Sequence, residues 1–233
     1  MDKTQKTIGG MFDRIAPVYD LLNRVLSLSL DVLWRKKAVA CLEIRDHERV
    51  LDIATGTGDL AMEALRKKLA CRVVGLDISR EMMRVAGIKR DERNWRDRYS
   101  LIAGNALQMP LRDQTVHAAM VAFGVRNVPD VEGLFSETRR VLKAGGKFAV
   151  LELSIPPGRA IKAVYLFYFR KLLPRIGSLL SGRSAAYRYL RDSVLVFYTP
   201  HQVEDLLRAA GFTVVRSLPL TFGICHLFLA EKR

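Results

Sequence analysis

Residues 51–59 (LDIATGTGD) constrain the fold more than any other part of the chain, because they join a buried strand to a glycine turn. The apolar run 50–53 suits a central parallel strand, and Gly56 and Gly58 permit positive backbone angles and close approach of a ligand to the chain. Beyond the turn, Leu60, Ala61, Ala64, Leu65 and Leu69 recur at helical spacing, opposite Glu63, Arg66, Lys67 and Lys68. Free amides at the start of that helix favour a carboxylate or a phosphate. A second acid, Asp77, ends the next apolar run and lies 21 residues after Gly56, close to the ~20 expected of a ribose-binding carboxylate. The combination predicts a nucleotide-like ligand at the turn, with Asp52, Gly56, Thr57, Gly58 and Asp77 around it. The structural alternatives are a plain turn hydroxyl at Thr57 and a helix N-cap at Asp77.

Apolar runs at 49–53, 72–76, 99–103, 117–122 and 147–153 alternate with helical segments, which predicts a doubly wound parallel sheet. Asp130 can cap a helix running to Leu142, with Ala144, Gly145 and Gly146 supplying its left-handed end. Thr199 and Pro200 read as the N-cap and first turn of a helix that closes at Gly211. The last two runs, 213–218 and 224–230, are separated by too few residues for a helical crossover and predict an antiparallel hairpin. With 233 residues and 49% apolar content, the chain can bury one core. We therefore expect one domain over 1–233, with 1–47 as a helical N-terminal cover and 157–198 as a helical lid insertion.

Lysine and arginine outnumber the acids 38 to 24, which calls for an anionic partner. Between Leu153 and Arg191 there is no acid, but eight basic residues: Arg159, Lys162, Arg170, Lys171, Arg175, Arg183, Arg188 and Arg191. A helix over 161–173 (IKAVYLFYFRKLL) would be apolar on most faces with its basic residues toward one end, which favours an anionic membrane surface over a phosphate groove. A lid helix packed on the core is the alternative. No stretch approaches the ~20 apolar residues needed to span a bilayer. Cys41, Cys71 and Cys225 are isolated, so neither a disulfide framework nor a metal site is expected. The N-terminus lacks an apolar core, which points to the cytoplasm, with peripheral association at the inner face of the membrane. No nucleic-acid partner is expected, since no basic aromatic sheet face is visible. The oligomeric state, a homodimer included, stays open.

Five parallel strands closed by a hairpin differ from the dinucleotide-binding arrangement and are similar to the Rossmann-like, seven-stranded class I methyltransferase sheet. More specific blocks accompany them: MFDRIAPVYD (11–20), NALQMPLRD (105–113), FGVRNVPD (123–130), RVLKAGGKFAVLELSIP (140–156), LPRIGSLLSG (173–182) and YRYL (187–190). Over nearly its whole length the chain resembles the ubiquinone/menaquinone biosynthesis C-methyltransferase family. The resemblance implies transfer of a methyl group from S-adenosylmethionine to a ring carbon of a polyprenylated quinol, either demethylmenaquinol or a methoxy-polyprenyl-benzoquinol. It also implies that Thr57, Asp77, Asn105 and Ala106 contact the cofactor, with Asn105 and the Ala106 amide at the adenine edge. An Asx turn is the structural alternative for Asn105. Two positions depart from the usual pattern: Ala54 stands where such enzymes carry glycine, and Ala122 where some members have serine.

Methylation at carbon needs an acceptor oxygen that pushes electron density into the ring, hence a base and a cation to hold the oxyanion. Arg126, following the fourth strand at the ligand-binding side of the sheet, suits the second role, and Asn127 can orient the same oxygen. Tyr19, Asp13, Asp20, His201, His226 and an activated water are the candidates for the base, Tyr19 being the foremost side chain among them. Two competing readings remain. Gly56, Gly58 and Ala61 satisfy the permissive pattern of an NAD-dependent oxidoreductase, and the positive charge suits a methyltransferase acting on RNA or another lipid.

Overall fold

Val50, Leu51 and Ile53 are completely enclosed, as a strand covered on both faces by helices must be. The computed structural model describes residues 5–66, 70–168 and 184–233. Three helices, α1 (Gln5–Ile15), α2 (Tyr19–Leu26) and α3 (Leu30–Leu42), lead into β1 (Arg49–Ile53). The order continues as α4 (Asp59–Arg66), β2 (Arg72–Asp77), α5 (Arg80–Glu92), β3 (Tyr99–Ala103), β4 (Val116–Ala122), α6 (Val131–Val141) and β5 (Leu142–Leu153). It ends with α7 (Arg159–Phe167), α8 (Ser184–Leu195), α9 (Pro200–Ala209), β6 (Phe212–Leu220) and β7 (Cys225–Lys232). Lys67, Lys68, Leu69, Arg170, Lys171, Arg175, Arg183 and the segment 173–182 lie outside the described residues.

The seven strands run in the order β3-β2-β1-β4-β5-β7-β6. β1 to β5 are parallel; β6 and β7 pair antiparallel, as their short 221–224 connection requires, and β7 lies antiparallel against β5. Alternation along β1 sends Leu51 and Ile53 into one core with Phe135, Phe148 and Phe228, and Val50 into the other with Trp34, Leu60 and Leu65. The result is a sheet sandwiched between helices, with α3 and α4 on one face and α6 and α9 on the other.

The predicted caps hold in part. Asp130 accepts from Gly133 N, and Thr199 forms a reciprocal capping box with Gln202. The 144–146 segment, however, does not end a helix. α6 stops at Val141, and Gly145, at φ +71°, lies inside β5 where the β4/β5 register shifts. The cap of α5 is Ser79, whose Oγ accepts from Met82 N, so Asp77 is free of that task.

Strand order reverses between β1 and β4, and their carboxyl ends open a crevice. The chain leaves both strands through left-handed residues, Ala54 at φ +51° and Phe123 at φ +60°. A left-handed alanine costs about 1–2 kcal/mol. Its methyl also occupies the space beside Gly124, where a Cβ would stand 2.8 Å from Ala54 Cβ and 3.1 Å from Val121 Cγ2. Gly124→Ala should therefore lower stability by about 1–3 kcal/mol in chemical denaturation, and Ala54→Gly in the same chain should recover most of the loss.

Candidate active site

The alternation that buries Leu51 and Ile53 turns Asp52 toward α4, beneath the glycine turn. Its Oδ2 accepts from Thr55 Oγ1 at 2.5 Å and from Ala61 N at 3.2 Å. The Thr55 hydroxyl in turn pairs with Tyr99 OH at 2.7 Å. A side chain at Gly75 would press on both hydroxyls, its Cβ falling 2.8 Å from Tyr99 OH and 2.9 Å from Thr55 Oγ1. Burial pushes the Asp52 carboxyl up to about 7, against the Thr55 and Ala61 hydrogen bonds. Asp52 therefore already uses an amide of the helix start that a ligand carboxylate was expected to take.

Three expected cofactor contacts thus build the turn without lining the cavity above it. Asp52 braces the turn from below. Thr57 is buried and donates to Asp20 Oδ1 at 2.5 Å. Gly58, at φ +83°, is hemmed in by Tyr99 OH and Ala86 Cβ, which would lie 3.0 and 3.1 Å from an added Cβ. Gly56, Asp77, Asn105 and Ala106 do line that cavity. Gly56 is left-handed at φ +54°, and an added Cβ would meet nothing nearer than Ala54 O at 4.0 Å, so it would project into open space that a ligand can fill. Asp77 holds the turn with Oδ2, which accepts from Gly56 N at 2.7 Å, and the start of α5 with Oδ1, which accepts from Ser79 N at 2.8 Å. Each oxygen keeps lone-pair capacity for a ribose hydroxyl. Burial raises the Asp77 carboxyl, and the Ser79 and Gly56 amides oppose it. Asn105 makes the Asx turn, Oδ1 accepting from Leu107 N at 2.9 Å, and that turn sets Ala106 at the cavity edge.

The apolar walls of this cavity, Ile8, Phe12, Ile78 and Met82, were not singled out from sequence. Their signal was adjacency: Phe12 precedes Asp13 and Ile78 follows Asp77. Asp13 accepts from Ser79 Oγ at 2.6 Å and Glu81 N at 3.1 Å, which pins α1 across the opening. Carboxylate, glycine cradle and apolar walls together fit S-adenosylmethionine.

A second cavity of about 330 Å³ adjoins the first and shares Tyr19 and Phe123 with it. Leu26, Leu28, Trp34, Ile161, Val164, Tyr165 and Tyr168 give it a mainly apolar wall, and Arg126 lines it too. Arg126 is buried and not a free cation. Its Nη1 donates to Glu152 Oε1 at 2.5 Å and to Phe123 O at 2.6 Å, and its backbone N to Glu152 Oε2 at 3.2 Å. Burial works against the guanidinium charge, but Glu152 outweighs it and holds Arg126 above the usual arginine value. Glu152, 1% exposed at the end of β5, is a functional neighbour that sequence reasoning missed. It sits in an apolar strand run, where a lone acid was the available signal. Asn127 donates to Phe123 O at 3.3 Å and accepts from Tyr189 OH at 3.0 Å, which ties α8 to the site.

The base candidates separate by position. His226 stacks on Phe228 and pairs with Ser217 Oγ at 2.8 Å, away from both cavities, and His201 is exposed on α9. Asp13 is committed to α5, and Asp20 to Thr57 and Lys89. Tyr19 lies at the junction of the two cavities. Burial pushes its hydroxyl up, against the pull of Arg126 and Asn23, so it stands neutral at physiological pH.

An open sheet of this order, with a glycine turn, a ribose-type acid and a hairpin edge, is the fold of class I S-adenosylmethionine-dependent methyltransferases. A solved structure of such an enzyme from Aquifex aeolicus superposes with a TM-score of 0.62 at 18% identity, covering 85% of this chain and 89% of that one. The chain belongs to the ubiE/COQ5 methyltransferase family, which matches residues 1–232, and is a C-methyltransferase. Among its relatives, a demethylmenaquinone methyltransferase of Thermus thermophilus is 41% identical over 95% of this chain and 100% of its own length. A ubiquinone/menaquinone biosynthesis C-methyltransferase UbiE of a Geobacter species (strain M21) is 42% identical over 97% of this chain and 96% of its own. The NAD-dependent oxidoreductase reading is thereby overturned.

Two measurements check this assignment of roles. Asp77→Asn should weaken S-adenosylmethionine binding roughly 10- to 100-fold in calorimetry, since hydrogen bonds to a charged carboxylate are lost. Asp52 ionises near 3.8 when unfolded but at about 7 when folded, so the folded state holds the extra proton. Wild-type stability should fall by about 1.4 kcal/mol per pH unit within that window and level off above it, a slope that Asp52→Asn should remove.

Proposed function

We propose that this methyltransferase transfers a methyl group to a ring carbon of a polyprenylated quinol, with demethylmenaquinol and the methoxy-polyprenyl-benzoquinol as the acceptors to test. The observation that carries this reading is the meeting of two unlike cavities at Tyr19 and Phe123. One has the Asp77 carboxylate and the glycine turn; the other is large, mainly apolar and has Arg126 in its wall. The names of the relatives, demethylmenaquinone methyltransferase and ubiquinone/menaquinone biosynthesis C-methyltransferase, support the same acceptor class.

S-adenosylmethionine supplies an electrophilic methyl group on a sulfonium. Gly56, Asp77, Asn105 and Ala106 hold it in the first cavity, while Asp52, Thr57 and Gly58 keep the turn in shape. Because Glu152 neutralises Arg126, the guanidinium acts on an acceptor oxygen as a fixed hydrogen-bond donor more than as an uncompensated charge. Asn127 holds Phe123 in its left-handed turn, and Tyr19 closes the wall between acceptor and cofactor. With Tyr19 neutral and the acids engaged, water takes the acceptor's proton.

The apolar cavity reaches a rim of exposed Leu28, Ile161 and Val164, with Phe167 exposed further along α7. Arg159 and Lys162 share that helix. This rim, within the 157–198 insertion and the 1–47 cover, suits a protein resting on an anionic membrane while the prenyl tail stays in lipid. Among the described residues no helix is long and apolar enough to cross a membrane.

Methyl-labelled S-adenosylmethionine with each chemically reduced acceptor in detergent tests the proposal. Label should appear on the ring carbon of at least one quinol, and Arg126→Lys should lower kcat by roughly 10²- to 10³-fold with cofactor affinity retained. Cofactor binding without label in either quinol would discard the acceptor and leave the methyltransferase. Val164→Asp with Phe167→Asp should release the protein from anionic liposomes in co-sedimentation.

A further inference from the structure

Two buried donors in the apolar cavity have no hydrogen-bond partner among the described residues: Asn23 Nδ2 and Arg126 Nε. Buried polar groups are normally satisfied, and each exception calls for an explanation. These two lie together. Both line the large apolar cavity, and both line the narrower one between α2 and α8. Arg126 Nη1 is taken by Glu152 and Phe123 O, while the buried Nε has no acceptor among the described residues. Tyr19 borders the same space, where the Arg126 charge and a weak contact from the Asn23 side chain, short of hydrogen-bond geometry, both pull its hydroxyl down against burial. The three side chains therefore border the same two cavities, and Tyr19 also borders the cofactor site.

We propose that Asn23 Nδ2 and Arg126 Nε form a paired donor site for one ionised ring oxygen of the acceptor, which makes Asn23 a specificity-determining residue of the reaction. The proposal deepens the quinol reading and rests on it. A guanidinium Nε–H and an amide NH₂ are both donors, so they match an oxygen rich in lone pairs and reject a ring without oxygen at that position. Asn23 brings no charge. Its donation stabilises the oxyanion without adding to the ionic balance that Arg126 and Glu152 already close. The donor also sits on α2, in the N-terminal cover, whereas Arg126 sits at the end of β4 in the sheet. An acceptor oxygen bound by both bridges cover and core.

A coloured phenol separates this proposal from the identity of the natural acceptor. Binding of 4-nitrophenol to the full chain saturated with S-adenosylhomocysteine can be followed by the phenolate absorbance across pH. The wild-type protein should bind phenolate roughly tenfold or more tightly than phenol, which appears as a bound pKa about one unit below the free value. Asn23→Leu should lose most of that preference, and Asn23→Asp, of the same shape but acceptor in place of donor, should invert it. Unchanged S-adenosylhomocysteine affinity verifies that each variant folds. In turnover with the quinol that accepts label, Asn23→Leu should lower kcat/KM by roughly 10²-fold or more and shift the ascending limb of its pH profile upward, with Asn23→Gln recovering part of the rate. A wild-type protein that does not distinguish phenolate from phenol, or an Asn23→Asp variant that keeps the wild-type preference, overturns the donor site whatever the enzyme methylates. Phenolate preference lost in the Asn23 variants, but no methyl transfer to either quinol by the wild type, upholds the donor site and discards the quinol.

Discussion

A carboxylate buried under a turn is the interaction on which the cofactor cavity depends. Asp52 gathers the Thr55 hydroxyl and the Ala61 amide, so the first residues of the turn and the first turn of α4 are held to the strand that precedes them. Tyr99 extends this grip to the neighbouring β3, and Gly75 in β2 leaves the room. Burying an acid in this way is costly and pushes its ionisation toward neutrality. The return is a glycine turn whose upper surface is free for a ligand, because its structural bonds are all made from below.

The cover is tied to this turn by charge. Asp20 accepts from Thr57 and pairs with Lys89; Lys89 reaches Asp59, which meets Arg24; and Arg24 shares Asp31 with Arg35. Burial opposes the charge on Asp59, but Lys89 and the arginines hold it down at about 2. Isolated exposed ion pairs contribute little, whereas a partly buried network that links α2 and α3 to α4 and α5 registers one layer against the other. That registration places Tyr19 and Asn23 over the ends of β1 and β4. On the far side, Trp34 Nε1 donates to Thr221 Oγ1 at 2.9 Å, which fixes α3 to the hairpin turn.

Arg126 changes character once its surroundings are known. A lone arginine after the fourth strand reads as a bare cation aimed at substrate, but Glu152 arrives from the end of β5, 26 residues away, and neutralises it. What remains for the acceptor is geometry: a rigid planar donor whose orientation is set by a carboxylate, a carbonyl and a left-handed turn. This is a preorganised arrangement, with its reorganisation energy met on folding.

Much of the architecture was legible along the chain. The strands, the Thr199 and Asp130 caps and the closing hairpin follow from continuous apolar runs, capping chemistry and connection length, all of which act between near neighbours in sequence. The glycine turn and Asp77 were legible for the same reason, since their spacing reflects one strand–helix–strand unit. The split of the turn into a ligand-facing side (Gly56) and a structural side (Asp52, Thr57, Gly58) was not, nor were the conversion of Gly145 from helix end to strand irregularity, the Glu152 partner of Arg126 and the place of Asn23 beside Arg126 in the cavity wall. Each of these depends on which face of an element meets which distant neighbour, a question settled by packing between layers. The sequence by itself determined the sheet, its edge hairpin and the location of the cofactor turn, because local periodicity encodes them. Only the tertiary structure decided which polar atoms are spent on holding the fold and which are left for a ligand, because burial and partnership exist only after the layers close.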